Sequence, residues 1–246
     1  MTAGVVGSVR VAELGAVTRA VLEIVCDVGD ERALAEQVCQ ACVVGLDVDG
    51  AAISLLTASS ARETLCATDA TAELLEDLQF SFGEGACVEA AVTGRPVLVP
   101  DLYHSTETSR WPIFAAAVME QSVVGALFAV PLQWGTLNLG VLDLYRRAPG
   151  SLSDAQLRDA ISAADMAALM FLGVRTDPGD EAWLDHSLHG RAEIHQATGM
   201  VLAQLGVSAQ DALARLRAYA FAEQRLLGDV AHDVVSRRLH FTPDTR

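Results

Sequence analysis

The side chains best suited to chemistry lie near the C-terminus. Arg215 and Arg217 flank Leu216, with Tyr219 one turn beyond the first and Phe221 one turn beyond the second. On a helix centred on Leu216, Ala212, Leu213, Tyr219 and Ala220 fall within about 60° of it, at about 100° per residue, so the arginines stand on either side of an apolar stripe. A guanidinium grips phosphate or the edge of guanine, and a ring beside it stacks on an unpaired base. The same side chains also suit a plainer role, with rings at a core edge and arginines in water. Arg225, Arg237 and Arg238 add cations, and the last two also suit a helix C-terminus. Gln196 and Thr198 offer short polar tips mid-helix, within reach of base edges. Gly199 inside a helix costs ~1 kcal/mol relative to Ala, so a second backbone, a packed helix or RNA, is expected beside it.

The N-terminal part holds no comparable catalytic set. Gly83-Glu84-Gly85 lacks the later glycine and the lysine of a phosphate loop. Asp101, His104 and Ser105 form no defensible triad. The chain is therefore expected not to be an enzyme. Cys39-x-x-Cys42 is half of a zinc pattern without a second pair, and His186-x-x-His189 has no partner set, so neither a metal nor another cofactor is expected. The five cysteines, at 26, 39, 42, 66 and 87, read as buried thiols rather than a disulfide scaffold.

Charge separates the chain into two parts. Residues 1–181 carry 10 Arg and 25 acids, net −15, whereas residues 182–246 carry 7 Arg and 7 acids, net zero. There is no lysine, and five of the six histidines lie in the second part. That quarter is the one place a polyanion could dock without overall repulsion. The longest apolar run, 123–132, suits a buried strand rather than a membrane span, and residues 1–10 do not read as a signal peptide. A cytoplasmic protein with no membrane partner is expected.

The elements that must position these residues follow from periodicity. Helices are expected at 11–28, 31–46, 71–79, 87–92 and 111–121, and strands at 51–57, 63–67, 96–99, 123–132 and 137–145. That order describes an α+β antiparallel sheet with packed helices. A helix at 153–174 carries Leu157, Ile161, Ala164, Ala168 and Phe171 at steps of four and three. The narrow seam suits pairing of two chains, or packing on its own sheet. Asp177-Pro178 opens a further helix to 205, closed by Gly206. Ser208-x-x-Asp211 is a capping box for a helix to about 223, and a last helix covers 227–239. The tail from Phe241 is expected to fray.

Ordered motifs carry a resemblance to two families. Residues 82–90 (FGEGACVEA), 94–102 (GRPVLVPDL), 110–112 (RWP), 129–132 (AVPL) and 140–145 (GVLDLY) resemble a GAF domain over 15–150. Residues 194–201 (IHQATGMV), 205–208 (LGVS), 212–220 (ALARLRAYA) and 229–235 (DVAHDVV) resemble an ANTAR domain, the RNA-binding domain of transcription antiterminators, over 182–242. Many ANTAR domains carry lysine where this chain has Thr198, and Asn-x-Lys where it has Gln224-Arg225-Leu226. The first resemblance implies a ligand pocket between sheet and helices, lined by Phe82, Cys87, Tyr103, Trp111 and Phe114, for a small molecule left open.

The resulting expectation is an N-terminal segment (1–14), a GAF-like sensor (15–150), a helical stalk (151–181), a three-helix ANTAR-like bundle (182–242) and a tail (243–246). The resemblance implies a transcription antitermination regulator in which paired stem-loops with hexanucleotide loops meet Gln196, Thr198, Gly199, Arg215, Arg217, Tyr219, Arg225, Arg237 and Arg238. A homodimer through the stalk would present two such sites. A DNA-binding regulator and a protein-interaction module are the alternatives. The DNA reading is weakened because the would-be recognition helix opens with Ala209-Gln210-Asp211 and has cations only from Arg215.

Overall fold

Alternating side chains along two apolar segments build the centre of the fold. In β5 (Leu137–Arg146), Leu142 and Leu144 face one side of the sheet, and Val141 and Tyr145 face the other. β4 (Ala126–Trp134) alternates likewise, with Phe128 and Val130 opposed to Leu127 and Ala129. Successive Cβ atoms point to opposite faces, so both segments are buried on both sides. The computed structural model describes residues 14–24, 31–56, 62–104, 106–175, 192–223 and 225–242. β1 (Gly50–Leu56), β2 (Arg62–Ala67) and β3 (Val97–Val99) complete a five-stranded antiparallel sheet in the order β2-β1-β5-β4-β3. Pro131 is tolerated in β4 because β3 pairs only with Leu127 to Ala129 and ends before it.

Helices cover the two faces unequally. α1 (Ala16–Ile24), α2 (Glu31–Leu46) and α6 (Asp154–Arg175) cover the first. α3 (Ala70–Phe82), α4 (Ala86–Thr93) and α5 (Pro112–Gln121) cover the second. A 3-10 turn at Glu107–Arg110 precedes α5 and was not anticipated from periodicity. On α6, Ala160, Ala163, Ala164, Ala167, Ala168 and Phe171 are fully buried, and the small side chains let the helix lie close to the sheet. Leu157 and Ile161 are half-buried against the same core. The seam expected to join two chains is therefore filled by α1, α2 and β4 of its own chain. Asp159 fastens this face as well. Its carboxylate accepts the N–H groups of Val17 and Thr18, both at 2.9 Å, and the Thr18 hydroxyl at 2.6 Å, capping α1. A Cβ on Gly15 would stand 1.9 Å from Asp159 Cγ, so only glycine fits there.

Three further helices form a bundle: α7 (Ala192–Leu205), α8 (Ala209–Ala222) and α9 (Leu227–Val235). Its core is Ile194, Ala197, Val201, Leu216, Val230 and Val234, with Phe80 of α3 joining the same cluster. Gly206 (φ 65°) closes α7, its N–H donating to Leu202 O at 2.8 Å, and Val207 packs beside it. Ser208 Oγ accepts the Asp211 N–H at 3.1 Å, as the capping box requires. The N-terminal half of the helix expected from 178, and residues 176–181 of the stalk, lie outside the described residues.

Two expectations fail at the C-terminus. α9 stops at Val235, because Arg237 turns to φ 61° and the Arg238 and Leu239 N–H groups return to Asp233 O. Phe241 does not fray: it is 1% exposed, and its N–H donates to Gln204 Oε1 at 2.9 Å. The bundle core is short of large apolar side chains, and Phe241 fills it. Among the described residues no helix is long and apolar enough to cross a membrane.

Candidate nucleic-acid interface and sensor cavity

The nine residues expected at the nucleic-acid surface fall into three groups. Gln196 and Gly199 are exposed on one face of α7, and Arg215 is exposed on α8. No heavy atom of the described residues approaches within 4 Å of a Cβ built on Gly199, so the close backbone expected there is absent from the bundle. Thr198 is half-buried, and its hydroxyl donates to Ile194 O at 2.7 Å within its own helix. Its hydrogen is therefore committed to the backbone.

Arg225 and Arg238 are committed to Asp233. Arg225 Nη2 lies 2.6 Å from Asp233 Oδ2, and Arg238 Nε lies 2.7 Å from Asp233 Oδ1. Hydrogen bonds to these two cations hold the Asp233 carboxyl below the usual carboxylate range, and the bond to Asp233 raises Arg225 in turn. These pairs pin the α8–α9 connection to the end of α9. Arg237 is exposed. Tyr219 is half-buried and meets Phe241 edge-on, ring centroids 5.4 Å apart, while Phe221 on the same helix is 58% exposed.

Arg217 has a different environment from Arg215. Its guanidinium carbon lies 5.1 Å from the ring centroid of Phe80, on sensor helix α3. It also stands over Gly83 (φ 65°), the αL residue that closes α3. One arginine of the flanking pair faces water, and the other faces the sensor.

The sensor cavity lies under α3. It is small, with space for about one water, and is lined by Ala52, Ala72, Leu75, Gln79, Asp143 and Tyr145 among others. Asp69 frames it twice: Oδ1 accepts the Thr71 and Ala72 N–H groups at 2.8 Å, capping α3, and Oδ2 accepts the Tyr145 hydroxyl at 2.8 Å. Burial pushes the Tyr145 phenol above its ordinary range, and the Asp69 bond adds to that. None of the five pocket residues expected from the sequence lines this cavity. Phe82, Trp111 and Phe114 sit in the apolar cluster beside it, Trp111 and Phe114 edge-on at 6.5 Å. Tyr103 is 47% exposed on a loop. Cys87 is fully buried and lies at the inner edge, next to Glu76 and Asp143.

The Gly83-Glu84-Gly85 turn is structural. Glu84 Oε2 accepts the Ile113 and Phe114 N–H groups at 3.0 and 3.2 Å and so caps α5. Gly85 (φ 124°) leaves room for Gln79, whose side chain would stand 2.6 Å from an added Cβ. Cys39, Cys42, Cys66 and Cys87 are all buried, while Cys26, His186 and His189 lie outside the described residues. Burial pushes the Cys42 thiol up to about 12. Sequence reasoning missed the polar groups of the cavity side, Ser54, Glu76, Gln79 and Asp143. The available signal was a carboxylate between apolar residues on the inward phase of a central strand.

A helix-covered antiparallel sheet with a cavity is followed by a three-helix bundle. The GAF domain profile matches residues 16–171, more than half of the chain, and the chain belongs to that family. The ANTAR domain profile matches residues 183–235, so the order is GAF followed by ANTAR. That is a signal-sensing domain ahead of the RNA-binding domain of an antitermination regulator, and both are regulatory rather than catalytic. Among solved structures, the GAF domain of an Acinetobacter phosphoenolpyruvate-protein phosphotransferase is similar at 14% identity and TM-score 0.52, over 68% of this chain and 95% of that one. The corresponding domain from Coxiella burnetii aligns at 12% identity and TM-score 0.52, over 65% and 92%. Identities this low show the fold alone. The free methionine-R-sulfoxide reductase of Neisseria meningitidis aligns at 16% identity and TM-score 0.47, over 65% and 88%. No curated protein matches the chain.

Proposed function

We propose that this protein is a cytoplasmic, signal-responsive antiterminator whose α7–α8–α9 bundle binds paired RNA stem-loops with hexanucleotide loops. Arg215 and the open face of Gln196 and Gly199 supply the first contacts, and Arg237 supplies phosphate contacts at the rim. Control comes from the sensor. α3 lines the cavity with Ala72, Leu75 and Gln79 and carries Phe80, which holds Arg217. That single arrangement supports the reading best, because a shift of α3 on ligand binding would release or clamp a cation of the RNA surface. Pairing of two chains uses surfaces other than the filled seam of α6, whose outer side exposes Arg158, Asp165 and Leu169.

A gel shift at stated salt tests it, with a paired-stem-loop RNA, a scrambled-loop control and duplex DNA. Loop-dependent RNA binding is expected, with Arg215→Ala weakening it and lowering the salt slope by about 1. Binding to duplex DNA alone would make the protein a DNA-binding regulator. No binding by the wild type or by Phe80→Leu, which removes the ring under Arg217, would leave the bundle as a protein-interaction module.

A further inference from the structure

The second face of the sheet brings together three ligating side chains from three separate elements. Asp143 sits on the inward phase of β5, paired with Ala52 and Ala129 and followed by Tyr145. Its Oδ2 is fully buried. Glu76, on the inner side of α3, is 2% exposed, and Cys87, in the first turn of α4, is 0% exposed. A carboxylate oxygen of Glu76, the Cys87 sulfur and a carboxylate oxygen of Asp143 all lie within 4.8 Å of one another. Three separate elements contribute one group each.

Two carboxyls and a thiol share this small, largely apolar space. A divalent cation bound among them favours the charged form of all three at once. The surrounding hydrogen bonds are of the kind that orient metal ligands. Ser54 Oγ and, at 3.3 Å, Thr64 Oγ1 donate to Glu76 Oε2. Gln79 Nε2 donates to Glu76 Oε1 at 3.3 Å, and Gln79 Oε1 accepts the Cys87 N–H at 2.7 Å. Gln79 thus fixes two of the three ligating residues relative to each other. The cavity reaches Asp143 and Gln79, leaving room for about one water beside the cluster, as a fourth ligand.

We infer that Glu76, Cys87 and Asp143 form a binding site for a divalent first-row transition ion of the zinc and iron class. The donor set selects the ion: a thiolate disfavours magnesium and calcium, and two carboxylates disfavour copper(I). Binding forms one metal–sulfur and two metal–oxygen bonds and releases the thiol proton to solvent, together with any proton held on the carboxyls. The inference does not depend on what the bundle binds, and its test reads metal alone.

The test is a Co(II) titration of chelator-treated full-length protein, followed by absorbance and by displacement with zinc. One equivalent is expected to bind with a sulfur-to-cobalt charge-transfer band, and Zn(II) is expected to remove the band and raise the melting temperature. Cys87→Ser should abolish the band. Glu76→Gln and Asp143→Asn, with circular dichroism confirming their fold, should weaken binding by at least about tenfold. Cys39→Ser should bind as wild type. No saturable binding by the wild type, a band that survives Cys87→Ser or disappears in Cys39→Ser, or a zinc-induced melting shift that survives Asp143→Asn would each overturn the site.

Discussion

The two faces of the sensor sheet are built to opposite specifications. Under α1, α2 and α6 the interior is apolar and filled, with alanines on α6 and Phe171 at its end. Under α3 and α4 the interior holds a cavity, two carboxylates, a thiol and an amide. Asp159, a buried carboxylate of the first face, has its oxygens taken by the start of α1. On the second face Glu76 accepts hydrogen bonds from Ser54, Thr64 and Gln79 and also lies close to Asp143 and Cys87. Burying polar and ionisable groups is costly, and the second face gathers two carboxylates, a thiol and an amide beside its cavity. The comparison separates a face that holds the domain together from a face that can respond to something.

Substitutions on the two faces should rank accordingly. Phe171→Ala, on the filled face, is expected to cost about 3–5 kcal/mol, whereas Leu75→Ala, already beside a cavity, is expected to cost about 2–3 kcal/mol. Urea denaturation measures both, and a larger loss at Leu75 would break the comparison. Asp159→Ala leaves buried N–H groups of α1 without their acceptor and should cost about 2–4 kcal/mol. A change near zero would mean that α1 is not held by that carboxylate.

Effects that report function rather than stability should be smaller. Phe80→Leu keeps an apolar filler but removes the ring face under Arg217, and is expected to raise stem-loop affinity by about two- to fivefold. Unchanged or weaker affinity in a filter-binding assay would sever the sensor from the RNA surface. Asp233→Asn sets the lower limit. The Asp233 carboxyl is held below its ordinary range by Arg225 and Arg238, so its contribution is present above the unfolded value of about 3.9 and is lost as pH falls through the folded one. The mutant should melt slightly below the wild type at pH 7, and the gap should narrow as pH falls below about 4. A constant difference across that range would remove the ion pairs as the cause.

How legible each part was depended on the kind of information it required. The strands at β4 and β5, the Ser208 capping box and the Gly206 stop were readable because they rest on local spacing and backbone preference. The RNA-side residues were readable as types, but not in their commitments. Arg225 and Arg238 look like free cations until Asp233 is placed between them. The cavity was the least legible part. The aromatic residues expected to line it, Trp111 and Phe114, pack beside it, and its actual lining includes small side chains such as Ala52 and Ala72 that carry no chemical signal of their own.

Periodicity, capping and motif order by themselves determined an α+β sensor followed by a three-helix bundle, and which side of each element is buried. They could not determine against what. The seam of α6 suited a second chain as well as its own sheet, Arg217 suited RNA as well as Phe80, and Glu76, Cys87 and Asp143 were three unrelated letters on three elements. Only the tertiary structure settled these, because spacing along one helix or strand sets a direction for each side chain, whereas a partner is chosen by contacts between segments far apart in the chain.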